Sequence, residues 1–277
     1  MKKLFLYIAT IRPLNVILGG LTIVISSFIV KYNGPFVIVA VLVVMFYTAG
    51  ANTLNDYFDY KIDKINRPDR AISSGLASRS HALIFSLFAF IIGTLFALQL
   101  NKNSQLVSIG VSLPLIIAYN AKLKKFPLIG NIVVALILSL SFIYAGFVFD
   151  NIKPLIIPAV LAFGLTLIRE IIKDMADVIG DKSVGLKTFP IIYGENKTIV
   201  LCTVVSALLG IGSFVPFITG YYNIFYGILL ILTVEIPLAV VVILLLNKPN
   251  IATAKRSTKL LKFCTLGGLF SIYIGTI

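Results

Sequence analysis

Residues 36–63, FVIVAVLVVMFYTAGANTLNDYFDYKID, decide how this chain is read. The run at 36–58 exceeds the about 20 apolar residues that a helix needs to cross a bilayer. Its far end carries Asn55, Asp56, Asp59 and Asp63. Further apolar runs fall at roughly 14–31, 82–100, 104–120, 128–149, 154–175, 198–219, 224–246 and 260–277, which predicts nine transmembrane helices. Gly267, Gly268 and Gly275 make the last run the weakest. Composition agrees: of 277 residues, 58% are hydrophobic and 13% charged, and mean hydropathy is +1.01. A soluble domain carries about a quarter charged residues, which it needs to cover its surface. The expected fold is an all-α integral membrane protein with one transmembrane domain over 1–277.

Net charge is +13, from 24 Lys and Arg against 11 Asp and Glu. The basic residues sit in short loops between apolar runs, which argues for membrane topology and against a nucleic-acid partner. With the N-terminus inside, Lys31, Lys102 and Lys153 fall on the outer side and the other 21 of the 24 on the inner side. That bias predicts a multi-pass cell-membrane protein with a cytoplasmic N-terminus, and a ninth span then leaves the C-terminus outside. The start, Met1-Lys2-Lys3, is expected to lead into a retained first span. The apolar run after it is broken by Arg12-Pro13 and then continues past the length of a signal peptide's apolar region. Cys202 and Cys264 lie in apolar stretches and form no disulfide or zinc pattern. With His81 the only histidine, a histidine metal site or a Ser-His-Asp triad is not expected. Nothing points to an obligate protein partner.

Eight of the eleven acids occupy two short windows after the second and sixth runs: Asp56, Asp59, Asp63 and Asp69, and Glu170, Asp174, Asp177 and Asp181. Adding 118 to positions 56, 59 and 63 gives 174, 177 and 181, the pattern of a four-helix internal repeat. At i, i+3 and i+7, three carboxylates share one face of a helix and repel one another. Nearby Lys61, Lys64, Arg67 and Arg70 could relieve that repulsion as a salt-bridge network. A divalent cation could also do so, since magnesium takes one or two carboxylates, keeps waters and binds substrate phosphates. Neither window has the glycine and glutamate positions of a calcium EF-hand loop. A transporter would place its carboxylates mid-span, whereas these lie at span ends. Two such clusters facing across a cavity would hold a diphosphate between magnesium ions, with Lys and Arg on the phosphates. An allylic diphosphate departs once its charge is neutralised, and the allylic cation then alkylates a neighbouring nucleophile.

Asn55-Asp56-Tyr57-Phe58-Asp59-Tyr60-Lys61-Ile62-Asp63, followed by Asn66-Arg67-Pro68 and Ser74-Gly75, resembles the first motif of the UbiA-type intramembrane prenyltransferases. Asp177 and Asp181, leading into Gly185-Leu186-Lys187-Thr188, resemble the second, and an early Arg12-Pro13-Leu14-Asn15 adds to the resemblance. The likeness implies helices around a central cavity and Mg2+-dependent transfer of a polyprenyl group from its diphosphate to a lipid-like acceptor at the bilayer. It further implies that Asn55, Asp59 and Asp63 bind one side of the magnesium–diphosphate, that Asp177 and Asp181 bind the other, and that Asp56 and Asp174 support them. Asp59, Asp63, Asp177 and Asp181 are then the catalytic carboxylates. Arg67, Lys173 and Lys122, or Lys124 in its place, would meet the diphosphate, and Arg12 and Asn15 the acceptor. Arg169-Glu170-Ile171-Ile172-Lys173-Asp174 resembles the archaeal digeranylgeranylglyceryl phosphate synthases, which form the second ether bond of archaeal lipids by adding a geranylgeranyl group to geranylgeranylglyceryl phosphate. Ala176 stands where that group often has an acid. Relatives that prenylate an aromatic or tetrapyrrole acceptor share both main motifs, and spacing does not separate these acceptors.

Overall fold

The computed structural model describes residues 9–277, and the described secondary structure is helical; the expectation about Met1-Lys2-Lys3 lies outside these residues. The long helices are α1 (Pro13–Ile29), α2 (Phe36–Phe58), α4 (Arg79–Ala97), α5 (Lys102–Ala121), α6 (Ile129–Val148), α7 (Lys153–Ser183), α9 (Glu195–Ile218), α10 (Ile224–Asn247) and α11 (Ile251–Gly275). Short helices α3 (Tyr60–Asn66) and α8 (Phe189–Tyr193) follow α2 and α7. Among the described residues, seven helices are long and apolar enough to cross a membrane, and α1 is apolar but shorter. The expectation of nine spans is therefore met by seven. The run at 260–277 proves to be the second half of α11, whose first half carries Lys255, Arg256 and Lys259.

Two prolines explain the irregular stretches. Proline removes an N–H and pushes away the carbonyl four residues before it. Pro114 and Pro237 each follow a π-helical stretch, Leu106–Ser112 and Ile231–Glu235, in which the ladder widens by one residue instead of breaking. Ser108, Ser112 and Val234 from these stretches line the central cavity.

Without a hydrophobic drive between helices in lipid, close packing depends on small residues. Helices α2 and α4 show this reciprocally. A side chain on Gly50 would strike the Phe90 ring, and one on Gly93 the Tyr47 ring. Tyr47 also bonds Thr94 at 2.9 Å. The long helix α7 packs against α6, α9 and α11, and also against the short helix α3. The loop from 67 to 78 is capped by a small cluster of Ala71, Ile72, Ala77 and Ala82 under Tyr57 and Tyr60. Arg79 lies 4.3 Å over the Tyr57 ring and donates to the Tyr57 carbonyl at 2.9 Å, which ties that loop back to α2.

Candidate active site

The first motif straddles a break between two helices. Asp59 ends α2 and precedes α3, yet the i to i+4 bonds run on through it, from Asp59 N to Asn55 O and from Asp63 N to Asp59 O, each 2.8 Å. The helical register therefore carries Asn55, Asp59 and Asp63 to one side. Asn55 steadies Asp59 by donating from Nδ2 to its Oδ2 at 2.8 Å. The second motif lies on α7, and both motifs line one chamber. Asn55, Asp59 and Asp63 face it from one side, and Asp174, Asp177 and Asp181 from the other.

Arg67 joins the halves. Its Nη2 donates to both oxygens of Asp177 at 2.9 and 2.6 Å, while Nη1 stands 3.6 Å from Asp63. Burial alone would lower the Arg67 pKa, but the neighbouring Asp177 and Asp63 carboxylates outweigh it and raise it. Burial pushes the Asp63 carboxyl up, against the pull of Arg70 at 2.5 Å, so its protonated form persists to higher pH than that of an exposed aspartate.

Asn66 clamps the same junction, donating to the Asp177 carbonyl at 2.9 Å and accepting from the Gly180 N–H at 3.1 Å. A Cβ on Gly180 would overlap the Asn66 amide. We expect Gly180→Ala to cost about 1–3 kcal/mol of stability by forcing this contact apart. Thermal unfolding of the detergent-solubilised protein tests this, and an unchanged midpoint would refute it.

Lys124 pairs with Asp59. It belongs to a 3-10 turn, Leu123–Lys125, that is held in two places. The Lys187 N–H donates to the Lys125 carbonyl at 3.2 Å, and Gly130, lacking a side chain, lets the Lys124 backbone lie close. Lys122, expected as an alternative phosphate contact, is instead exposed and lines neither chamber, because the turn carries it outward. Gly185 turns the chain after α7 at φ 73, a left-handed value that favours glycine. Thr188 then reaches the chamber.

Asp56, expected among the metal ligands, does not line the chamber. Its carboxylate accepts from Arg12 at 2.5 Å and from Arg70 at 3.2 Å. Arg12 also donates to Asn55 Oδ1 at 2.9 Å, so it fixes the start of the motif from α1. Its backbone is left-handed, φ 53, immediately before Pro13, a strained geometry that the Arg12 bonds offset. Lys173 and Arg169 donate to Glu170 at 2.7 and 3.1 Å. Sequence spacing does not mark Arg70, Asn66 and Asn131 as site residues. For Arg70 the only signal is its place one turn after Arg67, and Asn66 is visible in the trailing motif. Asn131 carries no sequence signal.

The acids are unequally compensated, and this bears on a metal. Asp59, Asp63 and Asp177 each have a cationic partner. Among the described residues Asp174 accepts only from Asn131, at 2.8 Å, and the buried Asp181 carboxylate has no salt-bridge or hydrogen-bond partner, Lys173 acting on both only at longer range. A salt-bridge network would have paired them, and an uncompensated buried carboxylate is costly. Among the described residues no three carboxylates converge as a ready metal cage. Magnesium needs none, since one or two carboxylates suffice when phosphate oxygens and water complete its shell. The donor set fits that ion.

A second and larger chamber, of about 550 Å3, adjoins the acidic one and shares seven lining residues with it, among them Arg12, Asn55, Arg67, Arg70 and Tyr119. Its walls are largely apolar, with Leu18, Val44, Leu230 and Ile272 among them, and also carry Asn15, Arg169 and Lys262.

A helical membrane bundle with paired acidic motifs over an apolar chamber is the architecture of an enzyme for amphiphilic diphosphates. Residues 16–265 match the model of the UbiA prenyltransferase family. The chain belongs to the UbiA prenyltransferase family, and it is a polyprenyl transferase. The digeranylgeranylglyceryl phosphate synthase of Pyrococcus furiosus is 37% identical over 275 residues, 98% of this chain and 97% of the relative. A solved digeranylgeranylglyceryl phosphate synthase superposes with a TM-score of 0.78 at 30% identity, covering 100% of this chain and 99% of that one. A UbiA homolog from Archaeoglobus fulgidus, solved with GPP and Mg2+, shares the fold with a TM-score of 0.68 at 19% identity, covering 96% and 99%.

Proposed function

We propose that this chain transfers a geranylgeranyl group from geranylgeranyl diphosphate to the free hydroxyl of geranylgeranylglyceryl phosphate, forming the second ether bond of an archaeal membrane lipid. The observation that carries this reading is the joining of an acid-lined chamber to a larger, mainly apolar one with Arg169, Lys259 and Lys262 on its wall. The full-length likeness to digeranylgeranylglyceryl phosphate synthases supports it.

In this reading Asn55, Asp59, Asp63, Asp174, Asp177 and Asp181 would hold magnesium. When bound, the metal neutralises diphosphate charge and so eases departure of the leaving group. Arg67, Lys124 and Lys173 line the same chamber and would bind the diphosphate oxygens, moving from their carboxylate partners as it enters. The C1–oxygen bond of the donor breaks with its electron pair leaving on diphosphate. The acceptor hydroxyl oxygen bonds to C1, and its proton departs with the released diphosphate. The apolar walls exclude water from the allylic cation. The basic bias along the sequence supports a cytoplasmic N-terminus and site mouth, with the C-terminus outside.

The test is purified protein supplied with geranylgeranyl diphosphate and either geranylgeranylglyceryl phosphate or 4-hydroxybenzoate. We expect product only with the first acceptor, lost on chelation and restored by Mg2+. Prenylation of the aromatic acceptor alone would overturn this reading.

A further inference from the structure

The two chambers differ in charge. The acidic chamber mixes carboxylates with cations, whereas Arg169, Lys259 and Lys262 line only the larger one. The larger chamber has a single acid on its wall, Glu170. Resting on the proposed function, we infer that Arg169, Lys259 and Lys262 form a second anion subsite that takes the phosphate monoester of the acceptor and selects phosphorylated over unphosphorylated acceptors.

The subsite is assembled from three helices. Lys262 of α11 donates to Asn15 Oδ1 of α1 at 2.8 Å, a contact between residues 247 apart in sequence. This holds the ammonium at the chamber wall while two of its three donor positions stay available. Lys259 precedes it by three residues and so lies on the same face of α11. Lys259 is exposed and has no acidic partner among the described residues. Arg169 enters from α7. One Nη1 bond to Glu170 at 3.1 Å is its only side-chain hydrogen bond among the described residues, and its buried Nε has no partner. Burying a guanidinium donor unmet is costly, and a phosphate oxygen would meet it.

The arrangement suits a short amphiphile. Its anion would sit at Arg169, Lys259 and Lys262 and its chain along the apolar part of the wall. Its hydroxyl would lie toward Arg12, Asn55 and Tyr119, which both chambers share. An uncharged acceptor would leave these cations unused, an aromatic carboxylate such as 4-hydroxybenzoate would bring an anion but no chain for the apolar wall, and a second diphosphate would compete with the metal-binding chamber for its own ions. A glycerol phosphate is the chemistry that satisfies both ends.

The test uses the full-length enzyme in detergent, with geranylgeranyl diphosphate saturating and the acceptor varied as geranylgeranylglyceryl phosphate or its dephosphorylated glycerol. Lys262→Ala and Arg169→Ala should raise the KM for the phosphorylated acceptor roughly 10- to 100-fold, the loss expected for a hydrogen bond to a charged group. The donor KM should move less than about 2-fold, and the preference for phosphorylated over dephosphorylated acceptor should shrink in step. Lys262→Arg should keep most of the preference, and Lys259→Ala should weaken it in the same direction. Unchanged size-exclusion elution of each variant, with Lys61→Ala at an exposed position outside both chambers as control, guards against misfolding as the cause. Inorganic phosphate should inhibit competitively against acceptor, and less strongly in Lys262→Ala; equal inhibition of both would overturn the subsite. Turnover of the phosphorylated acceptor with an unchanged preference in both alanine variants would also overturn the subsite and leave the proposed function standing. Failure of the wild type to use that acceptor at all would overturn both.

Discussion

Asp177→Ala lowers turnover by roughly 10³-fold while the protein stays folded, the size of loss that follows removal of one electrostatic stabilising group. Asp177 serves twice. It lines the acidic chamber, and it holds both of its oxygens to Arg67. In the proposed reaction its loss would take one carboxylate from those that would hold magnesium, and the cation that joins the two motifs would lose its anchor. The fold should survive because α7 also packs against α6, α9 and α11. Asp59→Ala should match it, since Asp59 faces the same chamber and steadies Lys124. The measurement is single-turnover product formation beside size-exclusion elution and helical circular dichroism. Turnover within about 5-fold of wild type for both variants would remove these carboxylates from the reaction.

Arg67→Ala should cost about 10²- to 10³-fold in kcat/KM, with the larger share in kcat, because a guanidinium that meets developing negative charge acts mainly in the transition state. Arg67→Lys should recover little. A lysine offers one compact charge and cannot keep two bonds to Asp177 while reaching Asp63. Lys61 provides the internal comparison. It is exposed and lines neither chamber, so Lys61→Ala should change kcat/KM by less than about 3-fold. Equal losses from Lys61→Ala and Arg67→Ala would show that general positive charge near the motif, and not the bridging geometry, carries the effect.

Much of the site was legible because its signals are local. Three aspartates at i, i+3 and i+7 share a side of whatever helix carries them, and the backbone bonds through Asp59 keep that register across the break. What could not be read was which neighbour each carboxylate would meet. Lys122 and Lys124 stand two residues apart in one loop, and the tight turn at Leu123–Lys125, pinned by the Lys187 bond and the bare Gly130, chose between them. Asp56 belongs to the same motif, yet Arg12 and Arg70 take up its carboxylate.

By itself the sequence determined that this is a helical membrane protein with two acidic motifs, since apolar run length and short-range spacing depend on nothing distant. The count of spans was less secure. The final run shares α11 with several cations, and hydropathy windows cannot see where a helix begins. Only the tertiary structure brought Arg67 to Asp177, 110 residues away, and Lys262 to Asn15. Those meetings depend on how each helix is rotated and how closely its neighbour approaches. Contacts such as Gly50 on Phe90 set those quantities through the shape of the packed bundle, which is why no local pattern announces them.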